Sequence, residues 1–144
     1  MSKTRQPGVV NTYVQGSTGK AITTTRIIES IRNGLPIREL DALHASLDVE
    51  MAKLASMLGI SKATLHRRKA QGRLDPAEYD RVLRFARLVG RAVAVMGNIE
   101  EAREWLKSPQ FGLGGAVPLD YAQTEPGARE VENLLGRIEY GVYS

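Results

Sequence analysis

The sequence predicts an all-α protein: an arrangement of short helices containing a helix-turn-helix, joined by a long helix to a small helical C-terminal domain. Three stretches carry that prediction. Residues 54–74 place Leu54, Leu58, Ile60 and Leu65 at the apolar spacing of two short helices around Gly59. Asp75-Pro76-Ala77-Glu78 opens a run that stays apolar to Met96. Near the end, Val131, Leu134, Leu135 and Ile138 recur at helical spacing. The expected parts are a flexible arm over 1–23, a helix-turn-helix domain over 24–75, and a connecting helix with a C-terminal domain over 76–144.

Residues 1–23 hold Gly8, Gly16, Ser17 and Gly19 around the β-prone run VVNTYV and show no helical period. They read as a mobile arm or as a strand that pairs with a partner chain, and Lys3, Arg5 and Lys20 are candidate phosphate contacts. From Thr24 the pattern turns helical, with Ile27, Ile28 and Ile31 as a stripe ending at Asn33-Gly34. Pro36 marks the start of a further helix through Leu40, Leu43 and Leu47. Asp48 reads as the cap of the next one, which carries Met51, Leu54, Ala55 and Leu58.

In the helix-turn-helix, Ala55 is small enough for two helices to cross closely, and Gly59 takes the turn. Ser61 is the N-cap of a second helix expected to run to Gly72. Ser61, Lys62, Thr64, His66, Arg67, Arg68 and Lys69 are then its polar, mostly basic candidates for operator DNA. At position 68 an apolar residue often anchors such a helix, so Arg68 leaves the helix's tilt open.

Asp75 as N-cap, Pro76 at the first helical position and Glu78 reaching back make a capping box. The helix they begin is apolar on more than one face, so it must be covered on two sides. Arg81, Arg84, Arg87 and Arg91 form a stripe along it, expected to be a solvated face paired with acids such as Asp80, with partner contact as the alternative. Asn98 and Glu101 start another helix through Trp105 and Leu106, stopped at Ser108-Pro109. A turn-rich loop follows; its Gly112-Leu113-Gly114-Gly115 lacks the Lys-Ser/Thr and preceding strand of a phosphate-cradling loop. A last helix over about 126–140 ends at Gly141.

Charge divides the chain. Residues 1–75 carry 12 Lys/Arg against 6 Asp/Glu, and residues 76–144 carry 8 against 10. A phosphate backbone attracts the first half and not the second, so the two halves are expected to meet different partners. There is no cysteine, which excludes disulfides and thiolate metal sites. The arginines at 84, 87 and 91 interrupt the longest apolar stretch, so no membrane span is expected; neither is a secretion signal, and the expected location is the cytoplasm. His44 and His66 lie in different helices, with no metal-ligand spacing and no nucleophile–base arrangement, so neither an enzyme nor a cofactor site is expected.

Beyond these readings, the order LASMLGISKATLHRRKAQGRL, RVLRFARLVGRAVAVMG and AREWLKSPQFGLGGAVPLDYAQTEPGAREVENLLGRIEYGVYS resembles the Xre/MbcA/ParS group of antitoxins. The resemblance runs from about residue 35 to the end and is most specific at Trp105-Leu106, Pro109, Leu113 through Pro118-Leu119, Gly127, Val131, Leu135, and Arg137-Ile138-Glu139-Tyr140-Gly141-Val142. It implies an antitoxin of a type II toxin-antitoxin system, which binds a RES-domain toxin encoded by the adjacent gene, covers the toxin's NAD-consuming active site and represses its own operon. By the same resemblance Arg137, Glu139, Tyr140, Val142 and Tyr143 are the candidate toxin contacts. On the residues alone, cover for the protein's own core is the preferred reading of Tyr140 and Tyr143. A homodimer reading two half-sites is expected. The alternative is a stand-alone DNA-binding repressor with a ligand-sensing C-terminal domain, its pocket near Trp105.

Overall fold

The computed structural model describes residues 8–14, 24–33 and 35–141. Helices dominate them: α1 (Val9–Val14), α2 (Thr24–Asn33), α3 (Arg38–Leu47), α4 (Met51–Met57), α5 (Lys62–Gln71), α6 (Pro76–Met96), α7 (Ile99–Lys107), α8 (Pro118–Tyr121) and α9 (Glu125–Glu139). The strands β1 (Leu35–Pro36) and β2 (Arg73–Leu74) pair antiparallel, Leu35 opposite Leu74.

α6 is the axis on which the rest is assembled. Its capping box is complete: Asp75 accepts the Glu78 backbone N–H at 2.7 Å, and Glu78 accepts that of Asp75 at 2.9 Å. Val82, Phe85, Ala86, Leu88, Val89 and Ala92 are all fully buried, which takes more than one face of a helix. α1 and α3 pack on α6 with Val10, Leu40, Leu43 and Leu47, and α7 and α9 with Ala102, Leu106, Val131 and Leu135; Leu54 of α4 and Leu119 of α8 join the same core. One continuous apolar core therefore runs through both expected domains, and α6 belongs to each.

The arginine stripe of α6 is mostly internal bracing. Arg81 donates to the Leu58 carbonyl at 3.1 Å, Arg84 donates to the Gln123 carbonyl and pairs with Glu125 at 3.2 Å, and Arg91 pairs with Glu139 at 2.9 Å. Arg87 is exposed. From α7, Arg103 donates to the carbonyls of Ser46 and Ala45, and Lys107 to that of Asp48. These cations sit where α3 leaves its last carbonyls unpaired.

Several expectations are corrected. Residues 9–14 are a helix, neither arm nor strand. The buried Glu39 carboxylate accepts the N–H groups of Val9 (2.7 Å) and Val10 (3.4 Å), which have no partner within so short a helix. Val9 and Val10 are buried, and the far end of α1 lies so close to α6 that a Cβ on Gly90 would overlap the Tyr13 carbonyl. The remainder of the expected arm, with Lys3, Arg5 and Lys20, lies outside the described residues. Pro36 is in β1, one residue before the Ile37 N-cap of α3. Asp48 closes α3 in the left-handed conformation (φ 54°), and Glu50 precedes α4 instead. The turn-rich loop holds a 3-10 turn at Phe111–Leu113 and the short α8.

Candidate nucleic-acid and protein interfaces

The helix-turn-helix forms as its local chemistry requires. Leu54 and Leu58 are fully buried, Ala55 and Ile60 nearly so, and they hold α4 on the core. Gly59 turns the chain at φ +70°, and the Ile60 N–H donates to the Ala55 carbonyl at 2.8 Å. Ser61 caps α5 by accepting the Thr64 N–H at 3.1 Å, while its hydroxyl donates to Thr64 Oγ1 at 3.0 Å. Gly72 ends α5 where expected.

The candidates on α5 divide into two groups. Ser61, Lys62, His66, Arg67 and Lys69 are exposed, and Lys62, His66 and Arg67 lie four and five residues apart on its outer side. Thr64 is half-buried with its hydroxyl oxygen accepting from Ser61. Arg68 is not with the exposed set. Its side chain is only 17% exposed, and it pairs with Glu78 at 2.7 Å and Asp75 at 3.1 Å. The Glu78 hydrogen bond leads the influences that raise its pKa, so it stays charged.

At the other end, α9 is capped by Thr124, which accepts the Gly127 N–H at 3.2 Å. Ala128, Val131 and Leu135 face the core. The helix's opposite side and last turn border an open cleft of about 680 Å³, lined by Arg91, Glu132, Asn133, Gly136, Arg137 and Tyr140. Tyr140 is 78% exposed, so it does not cover the protein's own core. Glu139 is tied to Arg91, and Arg137 is half-buried. Val142 and Tyr143 lie outside the described residues. Trp105 packs partly buried against the core, and its carbonyl accepts from the Gln110 side chain at 2.9 Å.

One exposed aromatic leaves no signal in the sequence. Phe111 is 94% exposed on the 3-10 turn, whose Gly112 lies against Leu134 of α9. A single aromatic between polar and glycine residues gives no periodicity; only the turn, pinned to α9, lifts it outward.

Among the described residues there is no cluster of His, Asp or Glu able to hold a metal, and no helix long and apolar enough to cross a membrane.

Known proteins align with both ends. The antitoxin Xre-like helix-turn-helix domain model matches residues 26–87, and the antitoxin Xre/MbcA/ParS C-terminal toxin-binding domain model matches residues 91–141. The chain is 35% identical to an Antitoxin Xre from Yersinia enterocolitica over 122 residues, 83% of this chain and 82% of that one. An Antitoxin Xre from Photorhabdus laumondii is 33% identical over 116 residues, 79% of this chain and 78% of its own. A Prs ADP-ribosylating antitoxin from a Sphingobium species is 28% identical over 127 residues, with the same coverage of 79% and 78%.

Proposed function

The chain belongs to the Xre family of antitoxins, with a helix-turn-helix and a toxin-binding domain, and from that premise we propose that it neutralises a RES-domain toxin encoded by the adjacent gene. In this reading the end of α9 covers the toxin's NAD-consuming cleft, and α5 represses the shared operon as part of a homodimer. The protein itself carries no catalysis. It acts by occupying a site.

The observation that carries the toxin half is Tyr140. A large aromatic left 78% exposed at a helix end, beside Arg137 and an open cleft, has the make-up of a central interface anchor. It lies inside the segment matched by the toxin-binding model. The name of the Sphingobium relative includes ADP-ribosylation, a reaction that draws on NAD, which supports an NAD-handling partner. For the DNA half, the support is the exposed basic face of α5 in a chain whose first 75 residues hold the excess of positive charge.

A chain ending at Glu139 tests the toxin half. It keeps all of α9 and so keeps the fold, while toxin capture is lost. Undiminished neutralisation by that shortened chain would contradict the proposal.

A further inference from the structure

α5 is an unusual helix for a reader of DNA because none of its residues is fully buried. Its apolar attachment is the half-buried Leu65. The short pairing of β1 with β2 and the Ile37 N–H, which donates to the Gly72 carbonyl at 2.9 Å, fix the chain just beyond its C-terminus. Both ties act on the backbone at one end of the helix.

Arg68, the seventh residue of α5, adds a tie through its side chain. Its Nε donates to Glu78 Oε1 at 2.7 Å, one terminal nitrogen to Asp75 Oδ2 at 3.1 Å, and the other to Gln71 Oε1 at 3.3 Å. The two carboxylates are already placed by the capping box, since Asp75 Oδ1 holds the Glu78 N–H and Glu78 Oε1 holds the Asp75 N–H. A planar guanidinium has its donors in fixed directions, so bonding both acids sets its orientation as well as its distance. Two carboxylates around one cation also leave the group net negative, which disfavours any phosphate nearby.

We propose that Arg68 is a positioning residue for DNA recognition: inserted into the capping box of α6, it fixes the tilt at which α5 presents Lys62, His66 and Arg67, and it touches neither base nor phosphate. The inference rests on the DNA-binding reading above. It gives Asp75 and Glu78 a second use, and it reassigns one residue of the basic helix from contact to support.

The test is equilibrium binding of the full chain to a duplex spanning the region upstream of its own gene and to a shuffled duplex of the same composition, each over a salt series. Arg67→Ala, a contact residue, should lower the slope of log affinity against log salt by about 0.9 if it holds a phosphate. Arg68→Ala should leave that slope unchanged and reduce the preference for the upstream duplex by roughly tenfold. Arg68→Lys should lose the same preference, because a point charge lacks the fork. Glu78→Gln keeps an acceptor oxygen for the box and removes an acid, so simple electrostatics would raise affinity for both duplexes. The inference requires the opposite on the upstream duplex: weaker binding than the unaltered chain. A salt slope reduced by Arg68→Ala, full preference retained by Arg68→Lys, or uniformly stronger binding by Glu78→Gln would each overturn it. An unaltered chain that does not prefer the upstream duplex would overturn the DNA reading itself, and this inference with it.

Discussion

Gly90→Ala pits two effects of known sign against each other. In the middle of a 21-residue helix, replacing glycine by alanine ordinarily stabilises by about 0.5 to 1 kcal/mol, because less backbone freedom is lost on folding. Here the added Cβ would overlap the Tyr13 carbonyl, which is backbone and has no rotamer to swing aside. The least costly escape is for α1 to leave α6. That exposes Val9 and Val10 and strips the Glu39 carboxylate of the N–H groups it accepts. The net expectation is destabilisation by about 1 to 3 kcal/mol, the usual cost of forcing an extra carbon against a part that cannot yield. At this chain length, that is a fall in Tm of roughly 3 to 10 °C. Urea unfolding gives the free energy, and amide hydrogen exchange shows whether residues 9–14 lose protection. A stabilised Gly90→Ala protein with α1 still protected would refute the close approach of α1 to α6.

Three further outcomes can be checked. Tyr140→Ala should weaken the toxin complex by about 2 kcal/mol, read by calorimetry, and leave Tm unchanged because the side chain is exposed. Arg67→Ala should cost about 1 to 3 kcal/mol of operator binding if it reads a base, and equal losses on random DNA would reassign it to a phosphate. Burial pushes the Tyr79 hydroxyl up to about 12, an effect that nearby Ser30 lessens and the Glu39 and Tyr13 charges increase. Because its folded-state pKa lies above the ordinary value of 10, Tyr79 contributes stability that is intact below pH 10 and lost as pH rises toward 12. Absorbance titration should show one of the five tyrosines ionising late, and its disappearance in Tyr79→Phe identifies it.

Much of this molecule is legible because its punctuation is local. Ser61, the Asp75–Glu78 pair and Asn98 all cap the helices expected of them, each bonding an N–H three residues away. Such signals need no knowledge of the fold. What the sequence hid depends on residues far apart. VVNTYV has weak helix propensity, and its helix exists because Glu39 holds its first N–H groups and Gly90 gives it room. The arginines of α6 look solvated in one dimension, but their acceptors lie 23 to 39 residues away at Leu58 and Gln123. Asp48 was ambiguous for a chemical reason, since aspartate suits both an N-cap and the left-handed residue that closes a helix. In the candidate site, composition alone reads Arg68 as a DNA contact and hides its pairing with Asp75 and Glu78. Its acids are only seven and ten residues downstream, yet nothing in the spacing says that the chain folds them back onto it.

The toxin-antitoxin assignment has one direct test: co-expression with the product of the adjacent gene, purification of the pair, and an NAD-consumption assay on that product with and without this chain. A stable complex in which NAD loss is abolished, and restored when the chain is shortened to Glu139, is the expected result. NAD consumed at the same rate with a saturating excess of the full chain would contradict it.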